Sequence, residues 1–154
     1  MRPEEKLRVM GLELPAVAPP LAAYVPAVHS GCHVFVSGQL PVVAGRLIAE
    51  GKLGAEISVE QGRQAARTCA LNCLAALKAQ VGDLDRVVRM VKVTGFVASA
   101  AGFTGQPQVV NGASELLLEV FGDRGRHARA AVGVAELPLG APVEVDLVAE
   151  VAAG

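Results

Sequence analysis

The segment from Val143 to Val151 restricts the fold of this chain most, because apolar and polar positions alternate along it. Four side chains would point to one side, namely Val143, Val145, Leu147 and Ala149, and four to the other, namely Glu144, Asp146, Val148 and Glu150. This period of two predicts a β-strand with one face in a core and the other face outside it. The chain must therefore build a sheet and cover at least one of its faces.

The other elements that the sequence predicts are helices and strands in mixed order. Ser58, followed three residues later by Gln61, is a capping-box pattern, and helical spacing continues from there to Val81. The other predicted helices are Pro3–Met10 and Val109–Phe121, and the other predicted strands are His33–Ser37, Arg46–Ile48 as its hairpin partner, Val87–Ala98 and Ala130–Val134. These elements predict an α+β fold with a single sheet and two long helices on one of its faces.

The length of 154 residues is that of one ordinary domain, so we expect a single domain over residues 1–154. Residues 1–26 contribute a short helix and then the segment Leu14–Pro26, whose four prolines predict an extended course over the surface. The mean hydropathy of +0.43 is high, but charged residues interrupt every apolar run, so no membrane-spanning segment is predicted. The surplus apolar surface predicts burial between identical subunits.

Charge and cysteine usage narrow the function classes. Fourteen basic and fifteen acidic residues are interspersed, so nothing in the composition supports nucleic-acid binding. The N-terminus lacks the apolar core of a secretory signal, and we expect a cytoplasmic protein. The three cysteines, Cys32, Cys69 and Cys73, are interpreted as buried free thiols, and the latter two lie four apart in a predicted helix. His29, His33 and His127 show no spacing that would complete a metal-ligand set with them. We therefore expect no metal and no cofactor.

The chemistry and predicted positions of the side chains single out two candidate site residues, Arg129 and Glu144. A guanidinium at the rim of a strand can hold a carboxylate with two parallel hydrogen bonds, and the alternative is a solvated arginine at a strand end. Glu144 would lie on the adjacent strand, within reach of Arg129, if the turn Leu137–Pro142 joins antiparallel neighbours. It could then carry a proton or activate water if burial raises its pKa, and the alternative is a structural ion pair.

Several segments resemble the RidA family, the YjgF-type family of reactive intermediate deaminases that is also described as endoribonuclease L-PSP. The segments from Arg129 to Pro138 and from Ala141 to Ala149 look like its signature strand pair. Residues Ser37–Pro41 are similar to its Ser-Gly-Gln-x-Pro element. Tyr24, thirteen residues before that element, and Asn111 in the second long helix also match the family pattern. The resemblance covers nearly the whole chain beyond the first helix.

This resemblance implies a chorismate-mutase-like fold that forms a homotrimer. The sheets of three subunits would pack into a central barrel, with the helices outside and three clefts between subunits. The resemblance also implies an activity, the hydrolysis of reactive enamine or imine acids, released by pyridoxal-phosphate enzymes, to 2-keto acids and ammonia. It requires no cofactor and no metal, and its partner is a small metabolite with a carboxylate.

The resemblance also implies roles for particular residues. Arg129 would bind the substrate carboxylate, Glu144 would orient or activate the attacking water, and Tyr24 of the neighbouring subunit would close the cleft. The further contacts implied are the backbone at Gly38, which approaches the ligand, the side chain of Asn111, which supports the site by hydrogen bonding, and the backbone near Ala131.

Two departures from the deaminase pattern place the chain in a divergent branch. Tyr24 is followed by Val25 and Pro26 where the active branch has Ser and Gln, and Ala130 and Ala131 replace the small polar pair after the arginine. A non-catalytic sensor of small carboxylates on the same fold is therefore the alternative. Endoribonuclease or translation-inhibitor activity is a further alternative from the family, and the absence of a basic patch argues against it.

The three histidines are the remaining candidates for acid–base chemistry. His127 lies two residues before Arg129 and is the candidate for the mouth of the cleft. His29 and His33 flank the start of the first predicted strand, where polar surface positions are the usual interpretation.

Overall fold

The structure is a computed structural model that describes residues 1–17 and 23–153. The helices in these residues are α1 (Pro3–Val9), α2 (Val59–Val81) and α3 (Gln106–Phe121). The strands are β1 (Ala27–Ser30), β2 (His33–Gln39), β3 (Val42–Val43), β4 (Arg46–Leu47), β5 (Val87–Ala98), β6 (Ala128–Val134) and β7 (Val143–Val151). Residues 18–22 of the predicted extended segment lie outside the described residues, and residues 12–17 and 23–26 form neither helix nor strand.

Five strands form the main sheet in the order β1–β2–β7–β5–β6. Neighbouring strands are antiparallel, except β5 and β6, which are parallel. Parallel strands need a long crossover between them, and α3 provides it. This topology places β7 in the centre of the sheet and β6 at one edge.

Both long helices lie on the same face of this sheet, as the sequence predicted. In α2 the Cys73 thiol donates to the carbonyl oxygen of Val145 in β7 at 3.3 Å. In α3 the side chain of Val110 lies so close to β5 that a Cβ atom on Gly95 would be 2.4 Å from its Cγ2. Gly95 and Val145 are directly opposite each other in the sheet, so their outward directions are the same. The core lies between this face and the two helices.

The helices also pack tightly against each other. A Cβ atom on Gly112 of α3 would lie 2.1 Å from the carbonyl oxygen of Arg63 in α2, so only glycine allows this approach of the two backbones. The predicted capping box at the start of α2 is confirmed, because Ser58 Oγ accepts from the Gln61 amide at 3.1 Å and Gln61 Oε1 accepts from the Ser58 amide at 2.8 Å. α3 begins at Gln106, three residues before the predicted start, with Pro107 in its first turn, where proline is tolerated.

The predicted hairpin between the first strand and Arg46–Ile48 is wrong. Arg46 and Leu47 pair with Val43 and Val42 in a separate two-stranded sheet, and β2 pairs with β1 and β7. The tight turn at Ala44 and Gly45, both with positive φ, closes this small hairpin locally. The sequence analysis also missed β1, because three of its four residues are exposed and it shows no clear alternation.

The second face of the main sheet is not covered by any described element. It mixes apolar and charged side chains. Phe35 of β2 is opposite Val148 of β7 and remains 50% exposed. Glu144 of β7 is opposite Phe96 of β5, which in turn is opposite Val132 of β6, 41% exposed. We call this the open face.

The described helices include none that is both long enough and apolar enough to cross a membrane.

Candidate functional site

Arg129 lies near the start of the edge strand β6 and points towards α3. Its Cα is opposite that of Val93 in β5, a fully buried residue, so its side chain projects to the helix-covered face. The guanidinium Nη1 donates hydrogen bonds to Asn111 Oδ1 at 2.8 Å and to Ser114 Oγ at 3.2 Å. Asn111 and Ser114 are three residues apart and therefore share one side of α3. Together they fix the orientation of the guanidinium.

The other edge of this guanidinium, formed by Nε and Nη2, has few partners. Nη2 makes one long contact, 3.5 Å to the Pro107 carbonyl oxygen, and Nε makes no hydrogen bond within the described residues. No carboxylate of residues 1–17 and 23–153 forms an ion pair with Arg129. Because the Nε–Nη2 edge carries two parallel N–H groups, it has the geometry that binds one carboxylate with two hydrogen bonds.

His127 joins the same cluster through Ser114. Its Nε2 lies 2.9 Å from Ser114 Oγ, and its Nδ1 lies 2.6 Å from the Gly125 carbonyl oxygen. Burial lowers the pKa of His127, the hydrogen bond to Gly125 raises it in part, and the positive charge of Arg129 lowers it again. We call Arg129, Asn111, Ser114 and His127 the arginine half-site. The sequence analysis missed Ser114, whose one signal was its spacing of three residues from Asn111.

Glu144 lies on the open face, in the central strand β7. Its side chain packs over Gly38 of β2, where a Cβ atom would lie 2.5 Å from Glu144 Oε2. Burial raises the pKa of Glu144, and the neighbouring charge of Asp146 raises it further. The absence of a side chain at Gly38 therefore makes the space that Glu144 occupies, and the partial burial makes its carboxylate more basic than an exposed one.

Tyr24 is connected to the Glu144 side of the molecule. It is 50% exposed and precedes β1. Ser37 of β2 holds the residues that follow Tyr24 in place by two hydrogen bonds. Its hydroxyl donates to the Val25 carbonyl oxygen at 2.6 Å, and its amide donates to the Pro26 carbonyl oxygen at 2.8 Å. Ser37 also precedes Gly38, over which the glutamate packs. We call Tyr24, Ser37, Gly38 and Glu144 the glutamate half-site.

The expectation that Arg129 and Glu144 lie on adjacent strands is wrong. β5 lies between their strands, and the turn Leu137–Pro142 crosses it instead of closing a hairpin. Arg129 is opposite Val93 and Glu144 is opposite Phe96, which point to opposite faces of β5. Two strand spacings and three residues along the strand separate their Cα atoms by about 14 Å. Within one chain the two half-sites therefore face different sides of the sheet.

The remaining candidates lie on three different strands of the sheet, β1, β2 and β6. Ala131 points to the helix-covered face and packs against the core, while its backbone belongs to the edge strand β6. An edge strand leaves part of its N–H and C=O groups without a strand partner. His29 and His33 lie on β1 and β2, which are separated from β6 by two or more strands. In one chain these two histidines are therefore remote from Arg129.

Residues 1–17 and 23–153 contain no cluster of three or more His, Cys, Asp or Glu side chains that could hold a metal ion. Cys69 and Cys73 are fully buried free thiols, as predicted, and burial raises the pKa of both. The same prediction is wrong for Cys32, which is exposed in the turn between β1 and β2. A surface pocket of about 340 Å³ lies beside Lys52 and Glu136, but none of the predicted site residues lines it. Its one basic side chain, that of Lys52, already pairs with Glu136 at 2.8 Å. We therefore place the candidate site at the two half-sites.

Comparison with known proteins agrees with this architecture. The family model described as "YjgF/chorismate mutase-like, putative endoribonuclease" matches residues 4–151. Protein TCP17 of Trypanosoma cruzi is 52% identical over 145 residues, which is 94% of this chain and 91% of that protein. The crystal structure described as a putative endoribonuclease from Shewanella oneidensis has a TM-score of 0.95 and 38% identity, covering 98% of this chain and 100% of that one.

A more distant crystal structure, that of the YjgF gene product from E. coli, has a TM-score of 0.64 and 25% identity over 87% of this chain and 92% of that one. The α+β sheet-and-helix arrangement is thus shared over almost the full length. The chain belongs to the YjgF/chorismate mutase-like family, the RidA-type family that its sequence resembles.

Proposed function

We propose that this protein binds small carboxylic acids at Arg129 and hydrolyses reactive enamine or imine acids to 2-keto acids and ammonia. The observation that carries the proposal is the state of the Arg129 guanidinium. Its Nη1 is held by Asn111 and Ser114, while its Nε–Nη2 edge has no carboxylate among the described residues. An oriented but unneutralised guanidinium is suited to a small anionic ligand.

The second part of the proposal is that the site is completed between subunits of a homotrimer. In one chain the arginine half-site and the glutamate half-site face opposite sides of the sheet. The edge strand β6 and the open face both offer surface that another subunit can cover. We propose that each cleft takes Arg129 from one subunit and Tyr24 and Glu144 from the next, with the open faces lining a central barrel. We place this trimer in the cytoplasm.

The chemistry follows from the two half-sites. Arg129 holds the substrate carboxylate, and the backbone near Ala131 contacts the imine nitrogen. Glu144 accepts a proton from water, whose oxygen adds to the imine carbon. Glu144 returns this proton to the nitrogen, which gives a carbinolamine with one hydroxyl and one amino group. Glu144 then takes the hydroxyl proton and passes it to the nitrogen, so that the carbon–nitrogen bond breaks, ammonia leaves and the oxygen becomes the keto group. An enamine acid enters the same route after it tautomerises to the imine. Because its pKa is raised, the Glu144 carboxylate accepts a proton from water more readily than an exposed carboxylate, and the proton can then be passed on.

The test generates 2-aminoacrylate or 2-iminobutyrate in situ with a dehydratase and follows the release of keto acid. We expect the protein to accelerate release and Glu144→Gln to abolish the acceleration. Arg129→Lys keeps the charge but loses the fork of parallel donors, so we expect kcat/KM to fall by at least about tenfold. Unchanged release with the wild-type protein would remove the deaminase proposal.

A second candidate function, binding without catalysis, is favoured by one observation. Ala130 and Ala131, next to Arg129, bring no polar side chain to the site. Calorimetry with 2-ketobutyrate and benzoate tests it, with Arg129→Lys as the matched control. Binding that this variant weakens, together with no acceleration of keto-acid release, would support a sensor in place of an enzyme.

Relatives described as endoribonucleases suggest a third test. The chain has a net charge of -1, which gives no electrostatic support to RNA binding. RNA cleavage by this protein would have to survive repurification and vanish in Arg129→Lys or Glu144→Gln. Cleavage that persists in both variants would indicate a contaminant.

A further inference from the structure

His127 has one consistent protonation pattern in its hydrogen bonds. Its Nδ1 lies 2.6 Å from the Gly125 carbonyl oxygen, which can only accept, so Nδ1 carries a hydrogen. In the neutral imidazole Nε2 is then an acceptor. Ser114 Oγ lies 2.9 Å from Nε2, so the Ser114 hydroxyl donates its hydrogen to it.

This pattern determines what the hydroxyl presents to the arginine. Its single hydrogen is used towards His127, and its lone pairs are left for Arg129 Nη1 at 3.2 Å. With the opposite tautomer Nδ1 would have no hydrogen to donate to the Gly125 carbonyl oxygen, and the 2.6 Å contact would lose its hydrogen bond. The neutral Nδ1–H form of His127 therefore supports the hydrogen bond that helps to fix Arg129.

We propose that His127 is a positioning residue of the arginine half-site, and that its protonation is coupled to the charge at Arg129 and to anion binding there. This proposal rests on carboxylate binding as the proposed function. The two bonds through Ser114 place His127 Nε2 within about 6 Å of Arg129 Nη1, a distance at which charges interact in a partly buried site.

Other charged side chains lie on the elements that pack around His127, but each of them interacts with another partner or with solvent. Glu115 of α3 pairs with Arg63. Asp123 lies in the turn Gly122–Gly125 between α3 and β6, and it pairs with Arg126. Arg89 of β5 donates to the Arg126 carbonyl oxygen, Arg124 of the turn donates to that of Val87, and Lys92 of β5 is exposed. Among the described residues, Arg129 is the charge that lowers the pKa of His127.

The sign of the coupling follows from this. A carboxylate bound to Arg129 offsets its positive charge, so binding should raise the pKa of His127. By reciprocity, protonated His127 should bind the carboxylate more tightly. The Ser114 oxygen can then accept from both neighbours while its hydrogen turns to a carbonyl one turn back in α3. At a separation of roughly 9 Å from the bound carboxylate, which is about one Debye length at physiological ionic strength, screening reduces the interaction and we expect about a threefold gain in affinity.

The experiment measures the pKa of His127 by NMR in the free protein, in saturating 2-ketobutyrate and in ligand-free Arg129→Gln. His29 is exposed and His33 is partly exposed, both lie on strands remote from Arg129, and they serve as internal references. We expect the pKa of His127 to rise both on ligand binding and in Arg129→Gln. Nitrogen chemical shifts should show the Nδ1–H tautomer in the neutral form.

Affinity for 2-ketobutyrate gives the second readout. In the wild type it should improve about threefold as the pH falls through the pKa of His127, and in His127→Gln it should lose this dependence. Because Glu144 also titrates, the comparison is repeated in a Glu144→Gln background. At high pH, His127→Ala and Ser114→Ala should each weaken binding. The double variant should be no worse than Ser114→Ala, since that substitution already removes the hydroxyl through which His127 acts on Arg129.

The outcomes separate the two proposals. If Arg129→Gln leaves the pKa of His127 unchanged, or the neutral form carries its hydrogen on Nε2, the positioning proposal is overturned whatever binds. If Arg129→Gln raises that pKa but 2-ketobutyrate does not bind, the coupling stands, the anion-binding part fails and so does the proposed function.

Discussion

Mixing two inactive variants tests directly whether each site takes Arg129 and Glu144 from different subunits. If the protein forms the proposed homotrimer, the assemblies of Arg129→Gln and of Glu144→Gln should each lack a complete cleft. In trimers formed at random from equal amounts of both chains, a cleft is intact when its first subunit supplies Arg129 and its second supplies Glu144. Each condition holds for half of the chains, so about one quarter of the clefts should be complete.

The assay is keto-acid release after the two variants are refolded together, with separately refolded samples mixed afterwards as the blank. The control mixes wild-type chains with the double variant that carries both substitutions. If sites form between subunits, about one quarter of the wild-type activity is expected there too, whereas sites within one chain would give about one half. Recovery near zero in the first mixture together with one half in the second would refute the shared cleft.

Three further substitutions test the packing and electrostatics on which the half-sites depend. In Gly112→Ala the new Cβ would lie 2.1 Å from the Arg63 carbonyl oxygen, and α2 and α3 must separate by about 1.3 Å to reach an ordinary contact of 3.4 Å. We therefore expect the free energy of unfolding, measured in urea at fixed protein concentration, to fall by about 2 kcal/mol or more. Gly62→Ala, whose Cβ meets only side chains, should be nearly neutral, and equal effects of the two would contradict the packing. Gly38→Ala should lower the free energy of unfolding by less than about 1 kcal/mol, because the flexible side chain of Glu144 can move aside. That displacement should lower kcat at least about tenfold, and an unchanged kcat would argue against a catalytic role of Glu144. The pKa of Glu144 is raised in the folded state, so its stabilising effect is present at low pH and is lost as the pH rises from the ordinary carboxyl pKa through the raised pKa. Over that interval Glu144→Gln should become more stable than the wild type by less than about 1 kcal/mol. A difference of the opposite sign would refute the raised pKa.

The parts of the fold that the sequence predicted well are those with long, regular patterns. The period of two along Val143–Val151 and the valine-rich run Val87–Ala98 specify strands because each repeats its signal over nine residues or more. The capping box at Ser58 marks the start of α2 to the residue. Three of the four residues of the short strand β1 are exposed, so its sequence does not show the alternation of apolar and polar residues that predicts a strand.

The candidate site was harder to predict because it depends on strand order. The segment Leu137–Pro142 reads as a tight turn, and a tight turn usually joins neighbouring strands. Here α3 makes β6 parallel to β5, so β7 can pair with β5 only on its other side. Nothing in the local residues distinguishes these arrangements, since both bury the same apolar positions.

The separation of the two half-sites also explains why the open face combines charge with exposed apolar groups. A sheet face that is exposed only to water is not expected to carry large apolar side chains such as Phe35 and Val132, which are about half exposed here. A purely apolar subunit interface is not expected to carry a carboxylate such as Glu144, whose pKa is raised. Both features fit a surface that another subunit covers in part, with its edge strand bringing an oriented guanidinium to the remaining opening. Catalysis would then be possible only in the assembled protein, because the arginine anchor and the glutamate base are on opposite sides of every single sheet.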